Sequence, residues 1–202
     1  FTPTINEILE LAVSHLEQAP RAMVSFGQGC EGEPLLREKL IAKAIRAIRA
    51  QTRRGLIHLN TNGSRPAALA RLAEAGLDSV RISLNSARPE LYQAYYRCCG
   101  YAFAEVRESL RVARRAGLWV SINCLTFPGV TDAPSELRAF SKLLAETGPD
   151  MIQWRNLNID PDWYLELLAR SGALSPAEPL GLPQMLAEIR RRFPAIRFGY
   201  FN

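Results

Sequence analysis

Strand-like apolar runs begin at Met23, Leu56, Ser79, Trp119 and Met151, a short sixth is possible at 196–200, and a helical pattern stands between each consecutive pair. Strict alternation of strand and helix predicts a parallel sheet joined by crossover helices, because parallel neighbours need a long connection. A closed barrel and an open doubly wound sheet both satisfy that pattern. No run reads as an antiparallel edge, which favours an α/β barrel of the TIM-like (βα) kind.

The helices announce themselves by their ends and their spacing. Thr4-Ile5-Asn6-Glu7 has the form of a capping box, and Ile5, Ile8, Leu9, Ala12 and Leu16 follow at helical intervals up to Pro20. Pro34 suits a first helical turn, with Leu36, Leu40, Ile41, Ala44, Ile45 and Ile48 as the buried face and Gly55 as the close. Further helices are expected at 65–75 with Gly76 as a left-handed cap, at 89–116 with a break near Gly100, at 134–146, from Asp160 onward, and at 182–193.

At 202 residues the chain fits one domain, residues 1–202, with a single sizeable core. The formal net charge is +5, yet the arginines are scattered over helical segments and only Arg190-Arg191-Arg192 forms a run. Nucleic acid is therefore not an expected partner. No apolar run is long enough to span a bilayer and no signal peptide precedes the first helix, so a cytoplasmic location without a membrane partner is expected. The chain starts at Phe1 with a helix directly behind it, which reads as an N-terminally incomplete domain.

Each run exits into polar or small residues: 28–33, 60–64, Asn85 and Ser86, 126–132, and 156–160. In a parallel sheet these turns share one rim, where α/β folds place their chemistry. Phosphate-cradling GxGxxG and GxxxxGK[ST] motifs are missing, as are HExxH and GxSxG. His58 stands mid-strand between apolar neighbours and reads as a hydrogen-bonded histidine of the interior rather than a catalytic base. Hydrolytic chemistry has little support.

Taken together, Gly29-Cys30-Glu31-Gly32-Glu33-Pro34-Leu35-Leu36, Asn60-Thr61-Asn62-Gly63 and Arg81-Ile82-Ser83-Leu84-Asn85-Ser86 resemble the core of the radical S-adenosylmethionine enzymes. Glu31-Gly32-Glu33-Pro34 stands where that family shows Gly-Gly-Glu-Pro. The resemblance runs from the helix at Thr4 to about Asp160. It implies a partial, open parallel (βα)6 barrel whose first strand and cluster loop are missing from this chain. It further implies two cofactors, S-adenosyl-L-methionine and a 4Fe-4S cluster, and a radical abstraction from an unknown substrate. Carried over by position, Gly32 and Glu33 would meet the methionine amino group, and Ser83 and Asn85 the ribose and carboxylate, with Asn62 and Asn123 beside them. Asn156 and Leu157 would offer backbone to adenine. A reductant such as flavodoxin or ferredoxin is the implied partner.

Singly, each residue has a plainer reading: Glu33 as a turn carboxylate near a helix start, Asn62-Gly63 as a tight turn, Ser83 as a backbone partner, Asn85 and Asn156 as caps. Their convergence on one rim separates the two readings.

The family's CxxxCxxC loop is absent, and Cys30, Cys98, Cys99 and Cys124 have neither its spacing nor a CxxC pair. In a helix Cys98 and Cys99 would point well apart, so they read as structural. The cluster ligands are expected upstream of Phe1. Alternatives are a cluster-free (βα) barrel lyase or isomerase and a non-catalytic S-adenosylmethionine-binding domain. Tyr92 to Tyr101, Trp154 and Arg155 are expected near the barrel mouth or in packing.

Overall fold

The structure is a computed structural model and describes residues 2–27, 32–174 and 176–200. Gln28, Gly29, Cys30 and Glu31 of the opening turn lie outside the described residues. The elements in order are α1 (Ile5–Gln18), β1 (Met23–Phe26), a 3-10 turn (Pro34–Arg37), α2 (Glu38–Gln51), β2 (Leu56–Thr61), α3 (Pro66–Ala75) and β3 (Ser79–Leu84). Then come α4 (Pro89–Tyr96), α5 (Phe103–Arg115), β4 (Trp119–Thr126), α6 (Pro134–Thr147), β5 (Met151–Asn156), α7 (Pro161–Ala169), α8 (Leu182–Arg192) and β6 (Arg197–Tyr200).

Local chemistry sets the boundaries. Thr4 and Glu7 make the expected box: the Glu7 amide donates to Thr4 Oγ1 at 3.3 Å, and the Thr4 amide donates to Glu7 Oε2 at 2.7 Å. Gly76 closes α3 at φ 110°, a left-handed value that a side chain would strain. The expected break in 89–116 falls at 97–102, where Arg97 takes a left-handed conformation and ends α4. Cys98 and Cys99 therefore sit in the loop after α4 rather than in a helix.

All six strands are parallel and lie in chain order, β1 to β6, with no β6–β1 pairing among the described residues, so the sheet is open. Side chains alternate between its two faces. Ile57, Leu59, Val80, Ile82, Leu84, Val120, Ile122, Cys124, Ile152 and Trp154 face the helices and join Ile45, Leu69, Leu110 and Phe140 in one core. Burial raises the pKa of the Cys124 thiol, which sits there as a small apolar group. The other face carries Ser25, His58, Asn60, Arg81, Ser83, Asn123, Gln153 and Arg155. A second apolar cluster of Leu91, Leu125, Val130, Tyr164 and Leu168 binds α4 and α7 together beyond the strand ends.

One expectation is corrected. Leu36 is 65% exposed while Leu35 is fully buried, because Pro34–Arg37 is a 3-10 turn with three residues per revolution and not the first turn of α2. Of the two places left open for Trp154, packing is the one found: it is 5% exposed and packs on Phe140 and Phe198 on the helix side of the sheet. Its neighbour Arg155 takes the opposite face.

Candidate functional site

The exit of β1 is tied to the exit of β2 by a set of short contacts. Asn60 Nδ2 donates to the Gly27 carbonyl at 2.9 Å and to Ser25 Oγ at 3.0 Å, which fixes its Oδ1 as an acceptor 3.2 Å from His58 Nε2. The His58 proton therefore sits on Nε2, and Nδ1, 2.7 Å from Ser79 Oγ, accepts from that hydroxyl. Burial lowers the His58 pKa, which favours the neutral ring in this hydrogen-bonded place.

Glu33 stands at the centre of the next group. Its Oε1 accepts from the Leu35 amide at 3.0 Å and from the Thr61 hydroxyl at 2.5 Å, and its Oε2 accepts from the Asn62 amide at 2.8 Å. Part of this is the plain capping role, since Glu33 caps the 3-10 turn. An ionised carboxylate has room for about four donors, so three bonds leave Oε2 with capacity for another. Gly32 beside it is exposed, at φ 85°, with nothing within 4 Å of where a Cβ would stand. Thr61 has no place among the expected site residues, although its position before Asn62-Gly63 at a strand end marks it.

Asn62 is half-buried: its Oδ1 accepts from the Ser64 amide at 2.9 Å in a tight turn, and its carbonyl receives the Tyr92 hydroxyl at 3.4 Å. Ser83 and Asn123 are register partners on adjacent strands, and Asn123 Nδ2 donates to Ser83 Oγ at 3.4 Å. Asn123 is only 8% exposed, yet its Oδ1 has no hydrogen-bond partner. Asn85 is 1% exposed, donates to the Leu91 carbonyl at 3.0 Å and to the Tyr164 hydroxyl at 3.4 Å, and also leaves its Oδ1 without a partner. Two buried acceptors at neighbouring strand ends thus lack donors, an arrangement that costs free energy unless a ligand or water supplies them. Asn156 ends β5 exposed, opposite Thr126, and Leu157 packs against the second apolar cluster.

The structure thus brings Gly32, Glu33 and Asn62 together at the ends of β1 and β2, and Ser83 with Asn123 on β3 and β4. Asn85 is drawn under α4 and α7. Glu136 was missed by sequence reasoning. It reaches from the first turn of α6 to accept from the Ala87 amide at 2.7 Å and from the Ser86 hydroxyl, and it is 2% exposed. Burial pushes its pKa up to about 7, against the lowering effect of those two hydrogen bonds. An acidic residue in a first helical turn is ordinary in a sequence, so nothing there marks it as buried.

A groove of about 670 Å³ lies elsewhere. It runs between α1 and the outer edge of β1, lined by Ile8, Leu11, Val24 and Phe26 with Glu7 and His15, and it is mainly apolar. Among the described residues no group of three His, Cys, Asp or Glu is placed to hold a metal ion. No helix is long and apolar enough to cross a membrane.

The Radical SAM superfamily family model matches residues 2–140. A GTP 3',8-cyclase of Streptomyces coelicolor is 34% identical over 140 residues, which is 68% of this chain and 35% of the relative. The chain spans about a third of the length of such curated relatives. Among solved structures, Streptococcus suis SuiB aligns over 100% of this chain and 44% of its own, with a TM-score of 0.62 and 13% identity. Methylornithine synthase (PylB) aligns over 98% of this chain and 62% of its own, with a TM-score of 0.58 and 18% identity. Those two likenesses establish the open (βα) fold, and the family match over more than half the residues establishes kinship: the chain belongs to the radical SAM superfamily of enzymes.

Proposed function

We propose that the strand-end rim binds S-adenosylmethionine as part of a radical enzyme acting on an unidentified substrate. The observation that carries this reading is the buried, donorless Oδ1 of Asn123 beside Ser83. The ligand's ammonium and ribose hydroxyls are donors, and they suit an orphaned amide oxygen and a carboxylate with an open lone pair. When bound and reduced by one electron, S-adenosylmethionine supplies a 5′-deoxyadenosyl radical.

The 4Fe-4S cluster that the family uses for that reduction does not fit the cysteines of this chain, which lack the CxxxCxxC spacing. Its ligands, and the flavodoxin or ferredoxin type of reductant, belong to the proposal as contributions from outside residues 1–202. A cytoplasmic setting goes with such a reductant.

This chain's residues have separable tasks. Glu33 accepts from the ammonium with its free lone pair while Thr61 and the Asn62 amide hold its orientation. Asn123 and Ser83 take the ribose hydroxyls. Leu157 offers an apolar edge to the purine.

Calorimetric titration of S-adenosylmethionine into the wild-type protein and into Asn123→Ala tests the reading. Loss of one buried hydrogen bond predicts about a tenfold weaker complex in the variant. Equal affinities, or no binding to either protein, would overturn it.

A further inference from the structure

We propose that Arg155, on the polar face of the sheet at the end of β5, binds an anionic group of the substrate, a carboxylate or a phosphate. This rests on the reading that the neighbouring strand ends hold S-adenosylmethionine.

The six strands carry His58, Arg81, Arg155 and Arg197 and contain no Asp or Glu. Several arginines elsewhere find carboxylates: Arg49 pairs with Asp78, Arg71 with Glu38, Arg111 with Glu146 and Arg114 with Asp150. Arg155 is half-buried and makes no hydrogen bond or ion pair among the described residues. A guanidinium drawn out of water without a counter-charge is costly, and a ligand anion is the usual remedy.

Its surroundings fit such a ligand. Gln153, one pleat below on the same face, accepts from Arg81 Nη1 at 3.0 Å. The positive charge of Arg155 is felt at Arg81, whose pKa is lowered first by burial and then by Arg155. It is felt also at the Tyr95 phenol, where it opposes the rise caused by burial. The Arg155 guanidinium is therefore close enough to Arg81 on the polar face and to Tyr95 of α4 to act on both, and neither is an anion. A planar fork of N–H donors there matches two oxygens of a carboxylate or phosphate.

The test is a titration of the isotopically labelled protein with inorganic phosphate and, separately, with acetate, read at the arginine Nε–Hε resonances. The expected result is that one or both anions shift the Arg155 signal, and that Arg155→Gln binds the same anion at least about tenfold more weakly. Arg155→Lys, which keeps the charge and loses the fork, should bind with intermediate affinity. No shift with either anion, or equal binding by Arg155→Gln with a wild-type backbone spectrum, would overturn the proposal. A calorimetric titration of Arg155→Gln with S-adenosylmethionine keeps the two readings apart. Affinity equal to wild type is expected, whereas a large loss would make Arg155 the partner of the cofactor's own carboxylate and overturn the substrate assignment.

Discussion

A buried carboxylate is the most consequential single residue outside the rim. Glu136 fastens the first turn of α6 to Ser86 and Ala87, next in the chain to Asn85. Ser86 Oγ also accepts from the Arg88 amide at 3.0 Å, so a protonated Glu136 can donate to the same hydroxyl. With its folded pKa raised from 4.5 to about 7, the protonated form is favoured by folding. Its contribution is fully present below pH 4.5, shrinks as pH rises, and is gone above about pH 7. The shift corresponds to an upper bound on the order of 3 kcal/mol. Glu136→Gln should therefore flatten the pH dependence of stability between pH 5 and 8, read from urea unfolding midpoints; a variant that keeps the wild-type slope would remove Glu136 as its source. Arg88 favours the charged form of this group and Glu90 opposes it.

Between elements, the contact that matters most to the rim is the exit of β1 against the exit of β2. Gly27 has φ 83°, and a Cβ there would lie 2.4 Å from the Asn60 carbonyl oxygen and 2.9 Å from Pro34 Cγ. Backbone cannot yield as a flexible side chain does, so Gly27→Ala should cost about 2 kcal/mol or more through the left-handed conformation and the clash. It should also move the turn that carries Glu33, lowering S-adenosylmethionine affinity along with the unfolding midpoint. A variant with both unchanged would contradict that coupling.

The strands and helices themselves were readable, because alternation of periods 2 and 3.6 and the caps at Thr4 and Gly76 are local signals. Leu36 was misplaced since Pro34 permits a 3-10 turn as readily as an α-helical one, and that shifts which leucine points inward. Trp154 was left open between the mouth and packing, and parity with the buried Ile152 decides it for packing. Glu33 was legible as a polar group of a strand-exit turn, whereas Ser83 and Asn123 came only from the family resemblance; the structure sets those two side by side on the polar face. Thr61 went unnamed although its place at a strand end marks it, and Glu136 was not legible, because it acts through a partner about 50 residues away in the chain. Such distant pairings leave no mark on local sequence.

At the scale of the whole molecule the sheet separates two surfaces. One is packed with helices. The other is polar and ends in Glu33, Asn62, Ser83, Asn123 and Arg155, while the large apolar groove lies at the open edge beside α1. Membership of the radical SAM superfamily accounts for the order of the units. The polar face and the edge groove make competing claims on any ligand, and one titration separates them. Side-chain amide and backbone resonances of the labelled protein, followed as S-adenosylmethionine is added, report where it sits. Binding at the rim is expected to shift the Asn62 and Asn123 side-chain amides together with the Gly32 and Leu157 backbone. Shifts confined to Ile8, Leu11, Val24 and Phe26 would contradict it.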